Sequence, residues 1–422
     1  MRKKLPFSYS WIIVVVTFIC MLAIYGIRYS FAAFFSPILE EFGWSRGSTA
    51  FMFALSVLVY GLLAPISGSL ADHWKPKPMM VMGVLMLGLS TAGCALANEL
   101  WHFYLFFGVL MPLGAAFCGS PILIPAINNW FVGKRGMAIG TAIAGSGLSF
   151  FMVTYAEFLI SILGWRLAFV VIAGSVVGIV MPLVLVFFRY RPESQAQITH
   201  DIEETPKKSN ESVKAVSVTD NHYSSESGIV ILENYRLWLL MLTYLLYDGF
   251  ANYLIVAHQV IFFVDLGYSS IFAASVAGLI GVFFTIGTLF GFVSDLLGRE
   301  KAFTLATALS VTSLFILLLQ KDASNPWAMY LFASCFGFAM GLISPTIIAG
   351  SADLFPGKHF GMVTGFLLMG FGLGGAIGPW FGGYIFDTTG SYSIAFIGCI
   401  FAYCLAYVSF WIAAPRKAKI PK

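Results

Sequence analysis

The chain has 422 residues, of which 59% are hydrophobic and 10% are charged, and its formal net charge is +4. Soluble globular domains carry about 25% charged residues, so this composition excludes a soluble protein and is typical of one that crosses a lipid bilayer many times. The excess of positive charge is too small to indicate a nucleic-acid partner, and we expect none.

Twelve apolar runs follow one another along the chain, and each is long enough to cross the hydrocarbon layer as a helix. The first six are predicted near residues 11–38, 47–70, 78–97, 101–131, 135–163 and 166–188. The second six are predicted near residues 236–265, 270–297, 301–320, 325–353, 358–385 and 391–413. We therefore predict an all-α membrane protein with twelve transmembrane helices in two pseudo-symmetric six-helix bundles.

A polar stretch from Pro192 to Gly228 separates the two sets of runs. It has too few apolar side chains to form a core, so it is typical of a linker. The sequence thus predicts three parts, which are an N-terminal bundle in residues 1–190, a cytoplasmic linker in residues 191–235 and a C-terminal bundle in residues 236–422.

The basic residues are distributed unequally between the two sides of the predicted helices. The side that has both termini and the linker collects 20 of the 24 Lys and Arg residues, whereas the other side has only Arg46, Arg166 and Lys321. Because the side with the excess is normally cytoplasmic, we expect both termini and the linker in the cytoplasm. The expected location is the plasma membrane, which in a bacterium is the inner membrane.

The two halves also repeat one another in sequence. Gly68 and Asp72 of the first half align with Gly291 and Asp295 of the second half at an offset of 223 residues. A second match pairs WFVGKRGMAIG with LFPGKHFGMVTG, one residue longer. Glycine permits close helix contact, and a carboxylate followed by cations is suited to helix ends, so these segments are expected to brace each bundle.

At these residues the chain resembles the major facilitator superfamily, whose signature between its second and third helices is Gly, an Asp four residues later, then Gly, Arg and Lys. The second copy matches this signature, whereas the first has His73, Lys75 and Pro76 where Arg, Gly and Arg are usual. The resemblance implies a cytoplasmic gate motif formed by Gly68, Asp72, Gly291, Asp295, Gly298, Arg299 and Lys301.

Three further segments resemble the bacterial monocarboxylate and oxalate:formate antiporter branch: YSFAAFFSPILEEFGWSR from Tyr29, NNWFVGKRGMAIG from Asn128 and HQVIFFVDLGYS from His258. The resemblance implies two bundles that rock about a midplane site in alternating access, with the first, fourth, seventh and tenth helices lining the path. That branch commonly holds the substrate carboxylate with an Arg on the eighth helix. Here the corresponding position is Gly287, and the stretch Gly278 to Leu289 contains no charged residue.

Arg28 is a permanent cation inside an otherwise almost wholly apolar run from Trp11 to Ile38. A charge kept inside the membrane usually has a partner or a ligand. Because two parallel N–H donors of a guanidinium match the two oxygens of a carboxylate, Arg28 is a candidate to replace the missing clamp, with Tyr29 beside it. The alternatives are a structural or gating ion pair with Glu157 on the fifth helix and a side chain that extends to the outer membrane surface.

Asp248 and His258 are the other ionisable residues that we single out, both on the predicted seventh helix. Asp248 is expected near the midplane, where burial favours the neutral acid, so it is the leading candidate for proton coupling. The alternative is a carboxylate satisfied by Tyr247, Asn252 or a neighbouring helix. His258 is either a titrating imidazole or a satisfied one in the core. Tyr247 and Asn252 are also candidates to contact the substrate.

The sequence contains no catalytic constellation, ATP-binding motif or metal-ligand spacing, so we expect no enzyme, no cofactor and no metal. It predicts a secondary active transporter of a small organic anion, in particular a monocarboxylate, by proton symport or anion exchange. The alternatives are a carrier or exporter of a neutral or amphipathic solute and a transport-dead solute sensor. The expected partners are the carboxylate substrate, protons or a counter-anion and the lipid bilayer, for a chain that acts as a monomer.

Overall fold

A computed structural model describes residues 7–131, 135–191, 233–355 and 360–414. Most of the predicted linker, both chain ends and the loop around Lys134 lie outside these ranges. Within them, every regular element is a helix.

The N-terminal bundle consists of α1 (Phe7–Phe42), α2 (Arg46–His73), α3 (Pro76–Gly93), α4 (Leu100–Phe103, Tyr104–Leu110, Met111–Cys118 and Ser120–Trp130), and α5 with α6 (Arg135–Leu148 and Phe151–Phe187). The C-terminal bundle consists of α7 (Tyr235–Tyr244, Leu245–Asn252 and Tyr253–Asp265), α8 (Ser270–Leu289), α9 (Arg299–Leu318), α10 (Pro326–Leu354), α11 (Phe360–Thr389) and α12 (Ser393–Ala413).

Gly164 separates α5 from α6. By length and hydropathy, 11 helices of the described residues are able to cross a membrane, and the longest of them has 50 residues. A straight helix of that length would measure about 75 Å, far more than a bilayer core, and Gly164 breaks it with a φ of 75°. Trp165 donates to Glu41 near the end of α1, whereas the carbonyl of Phe187 accepts from Tyr9 near its start, so α6 runs antiparallel to α1. The described residues therefore form twelve spans, and the predicted fold class is confirmed.

The internal repeat is visible in how α2 packs on α4 and α8 packs on α10. A Cβ placed on Gly68 would lie 3.9 Å from Cβ of Pro121 in α4. A Cβ placed on Gly291, just after α8, would lie 3.1 Å from Cβ of Pro345 in α10. The same two residue types therefore meet at corresponding places in the two bundles.

The two bundles meet along two seams, α2 against α11 and α5 against α8. A Cβ placed on Gly61 would lie 2.9 Å from Cα of Gly372, and one placed on Gly281 would lie 2.4 Å from the carbonyl oxygen of Gly147. Glycine at these positions lets the backbones of the two bundles approach closely. Since α2 corresponds to α8 and α5 to α11 in the repeat, the seams are related by the same pseudo-symmetry.

The helices have a linker end and a distal end, each defined by residues that lie there. The linker end is where α6 stops near Arg191 and α7 starts near Glu233. The distal end is the opposite one, where Arg46 at the start of α2 contacts Asp265 at the end of α7 and Asp387 near the end of α11. Both described flanks of the linker therefore lie at one end of the molecule.

Helix α7 widens into a π-helical segment over Leu245–Asn252, which contains Asp248. The i→i+5 hydrogen bonds of such a segment place residues five apart on the same face. Helix α11 packs closely against it, because a Cβ placed on Gly249 would lie 2.6 Å from the carbonyl oxygen of Phe371. Asp248 thus lies on a backbone segment that is held tightly on one side.

Candidate functional site

Arg28 lies within α1 and is 1% exposed. None of its three guanidinium nitrogens has a hydrogen-bond partner among the described residues. Its guanidinium carbon lies 4.4 Å from the ring centroid of Tyr60 in α2 and 5.5 Å from that of Tyr25 in α1. Cation–π contacts attract the charge but leave the N–H groups unpaired. The buried guanidinium therefore retains its full capacity to donate to an anionic acceptor.

Tyr29 and Tyr253 bring the two bundles together beside Arg28. The ring of Tyr29 stacks on Phe150, with centroids 4.1 Å apart. Its ring centroid lies 6.4 Å from that of Tyr253 in α7. The ring of Tyr253 also packs against Phe53 in α2, at 5.5 Å. The surroundings of the cation are therefore formed by α1, α2 and α7.

Tyr25 lies beside Arg28 and is more exposed than the other residues around it. Its side chain is half-buried, whereas Arg28 and Tyr60 are buried. The hydroxyls of Tyr60 and Tyr25 lie 3.4 Å and 3.5 Å from Oγ of Ser120 in α4. Arg28 is therefore covered in this conformation, and Tyr25 is the more exposed of the two tyrosines that contact its guanidinium.

Glu157 lies in α5 and is 8% exposed. Its carboxylate interacts with Ser270 at the start of α8, across the seam between the bundles. The ion pairs found among the described residues do not include Glu157, and the Arg28 guanidinium has no hydrogen-bond partner there. The alternative of an Arg28 pair with Glu157 is thus not formed in this conformation, and neither is an extended Arg28 at the membrane surface.

Asp248 is 6% exposed and accepts a hydrogen bond of 2.8 Å from Nδ2 of Asn252. The side-chain oxygen of Asn252 accepts in turn from the hydroxyl of Tyr403 in α12, at 2.6 Å. Tyr247 points into the C-terminal bundle, where its hydroxyl lies 2.8 Å from Oγ of Ser310 in α9. The structure therefore joins Asp248 and Asn252 in one polar network and directs Tyr247 into the bundle core.

His258 is fully buried in the distal half of α7. Its Nε2 lies 2.7 Å from the carbonyl oxygen of Pro379 in α11, and its Nδ1 lies 3.1 Å from the hydroxyl of Tyr392. Because a carbonyl only accepts, Nε2 carries a proton, and Nδ1 of the neutral ring accepts from Tyr392. Both ring nitrogens of His258 are thus satisfied in this conformation.

A polar cluster that we call the distal latch joins the bundles at the distal end. It consists of Arg46, Asp265, Asp387 and Tyr392. The carboxylate of Asp387 accepts from the backbone N–H groups of Arg46, at 2.8 Å, and Gly47, at 2.7 Å. Nη1 of Arg46 also donates to the Tyr392 hydroxyl at 3.0 Å. The latch thus connects α2 of one bundle with α7, α11 and the start of α12 of the other.

Residues of the predicted gate motif lie at the linker end. Arg299 donates from Nε to Asp353 in α10, at 2.8 Å, and from Nη1 to Oγ of Ser294, at 2.6 Å. Gly298 has a φ of 92°, which residues with a side chain rarely adopt, so the turn into α9 favours glycine. Of the other motif residues, Gly68 and Gly291 pack as described above, Lys301 is exposed, and the side chains of Asp72 and Asp295 lie outside the part that the structure describes.

The lack of an arginine at Gly287 has a structural reason. A Cβ placed there would lie 2.2 Å from the carbonyl oxygen of Phe338 and 3.1 Å from the amide nitrogen of Leu342, both in α10. These are backbone atoms of a packed helix, so the position has no room for a side chain. Among the described residues, Arg28 is the one arginine or lysine that is buried.

Tyr60, Tyr253 and the distal latch carry no local signal in the sequence. The two tyrosines stand in apolar runs, where an aromatic side chain usually only packs, and their sequence positions do not indicate that they lie near Arg28. In the sequence, Arg46 is only one of the three basic residues of the less basic side. Its partners come from loops and helix ends more than 200 residues away, so no local pattern could have indicated them.

The chain is similar in sequence and in structure to known proteins. The sequence model described as Major Facilitator Superfamily matches residues 17–291 and 286–422. Monocarboxylate transporter 12 of Mus musculus is 23% identical over 409 residues, which are 94% of this chain and 83% of that protein. Monocarboxylate transporter 13 of Bos taurus is 23% identical over 392 residues, which are 92% of this chain and 86% of that protein. The crystal structure of a bacterial homolog to the human lysosomal transporter Spinster, inward-facing and unoccupied, has a TM-score of 0.68 at 17% identity and covers 97% of this chain and 96% of its own.

Proposed function

Because the chain belongs to the Major Facilitator Superfamily, we propose that it is a secondary active transporter of a small organic anion, with a monocarboxylate as the substrate. Two relatives that match over more than nine-tenths of this chain are monocarboxylate transporters, which supports the substrate class. The two bundles rock against each other so that the site opens to alternate sides of the membrane. The energy comes from proton symport or from exchange against another anion.

The observation that carries this proposal is the buried Arg28 guanidinium, which has no hydrogen-bond partner among the described residues. A buried donor set without acceptors is costly, and a bound carboxylate would supply two oxygens to parallel N–H groups. Tyr29 and Tyr60 would orient the anion through their hydroxyl groups. Binding would require the side chains beside the cation, Tyr25 among them, to move.

Asp248 is proposed to carry the coupled proton. It lies in the seventh helix, where its carboxylate accepts a hydrogen bond from Asn252, and the ion pairs among the described residues do not include it. A buried carboxylate without a cationic partner inside a membrane span is typical of a proton pathway. Glu157, at the α5–α8 seam, and His258, beside the distal latch, are proposed to act in gating rather than in substrate contact.

The linker end is proposed to face the cytoplasm, as the excess of basic residues in residues 1–190 and 236–422 indicates. The distal latch would then close the outward side of the molecule in this conformation. Transport requires the latch to break when the outward side opens. Residues 191–235 would act as the tether between the bundles.

A neutral or amphipathic solute is the second candidate substrate, and the aromatic surroundings of Arg28 favour it. Phe53 and Phe371 both pack against Tyr253, with centroids 5.5 Å and 4.9 Å from its ring. Such a wall would bind an apolar solute without ion pairing. In that case removal of the Arg28 charge would leave transport intact.

Counterflow in proteoliposomes tests the proposal. Vesicles are loaded in turn with unlabelled lactate, pyruvate, formate or oxalate, and entry of the labelled compound is followed. Lactamide and formamide serve as uncharged analogues of lactate and formate. We expect saturable counterflow of at least one acid and none of its amide, because only the carboxylate pairs with a guanidinium. Equal counterflow of acid and amide would assign the protein to neutral solutes instead.

A further inference from the structure

Three side-chain hydroxyls meet beside the Arg28 site, at an interruption of α4. They belong to Ser120 of α4, Tyr25 of α1 and Tyr60 of α2. Helix α4 is interrupted at Gly119, whose backbone is extended. A Cβ placed on Gly119 would lie 3.4 Å from the Tyr60 hydroxyl. The interruption therefore presents Ser120, the next residue, to tyrosines of two other helices.

The contacts that Oγ of Ser120 makes with its neighbours are long. It lies 3.4 Å from the Tyr60 hydroxyl and 3.5 Å from the Tyr25 hydroxyl. It lies 3.6 Å from Sδ of Met21 in α1. Hydrogen bonds between two hydroxyls are normally about 2.5–3.0 Å long. A polar group placed among these oxygens would therefore gain shorter hydrogen bonds than Ser120 makes with its neighbours.

Arg28 adjoins the same two tyrosines. Its guanidinium carbon lies 4.4 Å from the ring centroid of Tyr60 and 5.5 Å from that of Tyr25. The side chain is 1% exposed, and its nitrogens have no hydrogen-bond partner among the described residues. Each of the two rings thus has the cation near its centre and Ser120 at its hydroxyl. The cation and Ser120 therefore lie within reach of one small ligand.

A small acid with a second polar group matches this arrangement. In a 2-hydroxy or 2-oxo acid, the second oxygen is bonded to the carbon next to the carboxylate. A serine hydroxyl both donates and accepts, so Ser120 can bind a hydroxyl or a keto oxygen. An acid without that oxygen would place C–H groups against hydroxyls that have lost their water, which is unfavourable.

Building on the function proposed above, we propose that Ser120 is a specificity-determining residue, which selects acids that carry a hydroxyl or keto group next to the carboxylate. Arg28 binds the carboxylate, and Ser120 binds the second oxygen with Tyr60 and Tyr25 beside it. A guanidinium alone accepts any small carboxylate, because its paired N–H groups contact only the two carboxylate oxygens. Ser120 thus supplies the discrimination that Arg28 lacks.

The test uses two pairs of acids that differ by one hydroxyl, lactate with propionate and glycolate with acetate. Their affinities for purified full-length protein are measured by thermal stabilisation. We expect the wild type to bind the hydroxy acid of each pair at least about tenfold more tightly, because the other acid leaves polar groups of the site unpaired. Ser120→Ala should weaken binding of the hydroxy acids by about fivefold and change that of propionate and acetate by less than about twofold.

Ser30→Ala is the matched control. Ser30 is buried in the same helix as Arg28, but its hydroxyl donates to the carbonyl oxygen of Ile27 at 2.8 Å. Its loss should leave the affinity ratio within each pair unchanged, and a general loosening of the fold would weaken both acids of a pair alike. Equal binding of both acids by the wild type, or wild-type ratios in Ser120→Ala, overturns this inference. Wild-type protein that binds neither these acids nor pyruvate, formate or oxalate overturns the proposed function instead.

Discussion

Arg46 and Asp265 form a bidentate ion pair that joins the two bundles at the distal end. Nη1 of Arg46 lies 2.5 Å from one carboxylate oxygen and Nη2 lies 2.9 Å from the other. The guanidinium also lies over the ring of Phe386, 3.7 Å from its centroid. Since Arg46 belongs to α2 and Asp265 to α7, the pair must break before the bundles part at this end.

Removal of the Arg46 side chain should therefore favour opening at the distal end. A partly exposed ion pair contributes about 1 kcal/mol, so Arg46→Ala should raise the ratio of open to closed molecules by about fivefold. The measurement is the distance between spin labels at exposed residues 40 and 388, on a cysteine-free background, by electron–electron double resonance. Lys321→Ala removes an exposed cation at the same end and should leave the distances unchanged. If Arg46→Ala gives the same distances as the parent protein, the latch does not hold the distal end closed.

Arg28→Met should stabilise the empty protein and weaken its binding of a carboxylate. The guanidinium has no hydrogen-bond partner among the described residues, so a flexible apolar side chain should stabilise the empty protein by about 1 kcal/mol or more. The same change should weaken carboxylate binding by more than about 100-fold, because the paired charge is lost. Melting temperature in detergent and ligand affinity check the two effects on one sample. A lower melting temperature with unchanged affinity would mean that Arg28 has a structural role.

Asp248→Asn should abolish uptake driven by a proton gradient and leave counterflow of the same acid in place. In the wild type, proton symport requires Asp248 to be protonated, so uptake should rise as the outside pH falls. Asparagine resembles the protonated acid permanently, so the remaining counterflow by the variant should vary by less than about twofold between pH 5.5 and 7.5. Asp322→Asn changes an exposed loop carboxylate and serves as the control. Unaltered pH dependence in Asp248→Asn would exclude this residue from proton coupling.

Glycines at the seams and glycines that face outward should respond to alanine in opposite ways. A Cβ on Gly281 would lie 2.4 Å from the backbone of Gly147 and 2.6 Å from Cβ of Phe150, whereas one on Gly178 in α6 would have nothing within 4 Å. Gly178→Ala should therefore stabilise the protein by about 0.5–1 kcal/mol through helix propensity. Gly281→Ala should push α5 and α8 apart and reduce counterflow several-fold. Melting temperatures and counterflow rates measured side by side check both expectations, and equal responses would contradict the close contact at this seam.

The apolar runs of the sequence were sufficient to predict the class of fold, because every segment that crosses a bilayer must hide its backbone polar groups within itself and expose apolar side chains to lipid. These requirements are local, so they determine which residue types follow one another along the sequence. The predicted run near 135–163 and the next near 166–188 lie on either side of Gly164, where the chain turns. The repeat of Gly68 and Gly291 likewise indicated equal packing in both halves, because a close helix contact needs glycine itself.

The surroundings of Arg28 were decided only by tertiary structure. The sequence placed a cation inside a helix, but it left three alternatives for the Arg28 side chain: a bound ligand, an ion pair with Glu157 and extension to the outer surface. In the folded chain the Arg28 guanidinium lies against Tyr60 and Tyr25, and Glu157 is not its partner. Which faces of distant helices meet depends on the shapes and twists of all the helices together, and a π-helical turn in α7 shifts its register as well. A charge in a membrane span is thus visible in the sequence itself, whereas its neighbours depend on how the two bundles pack together.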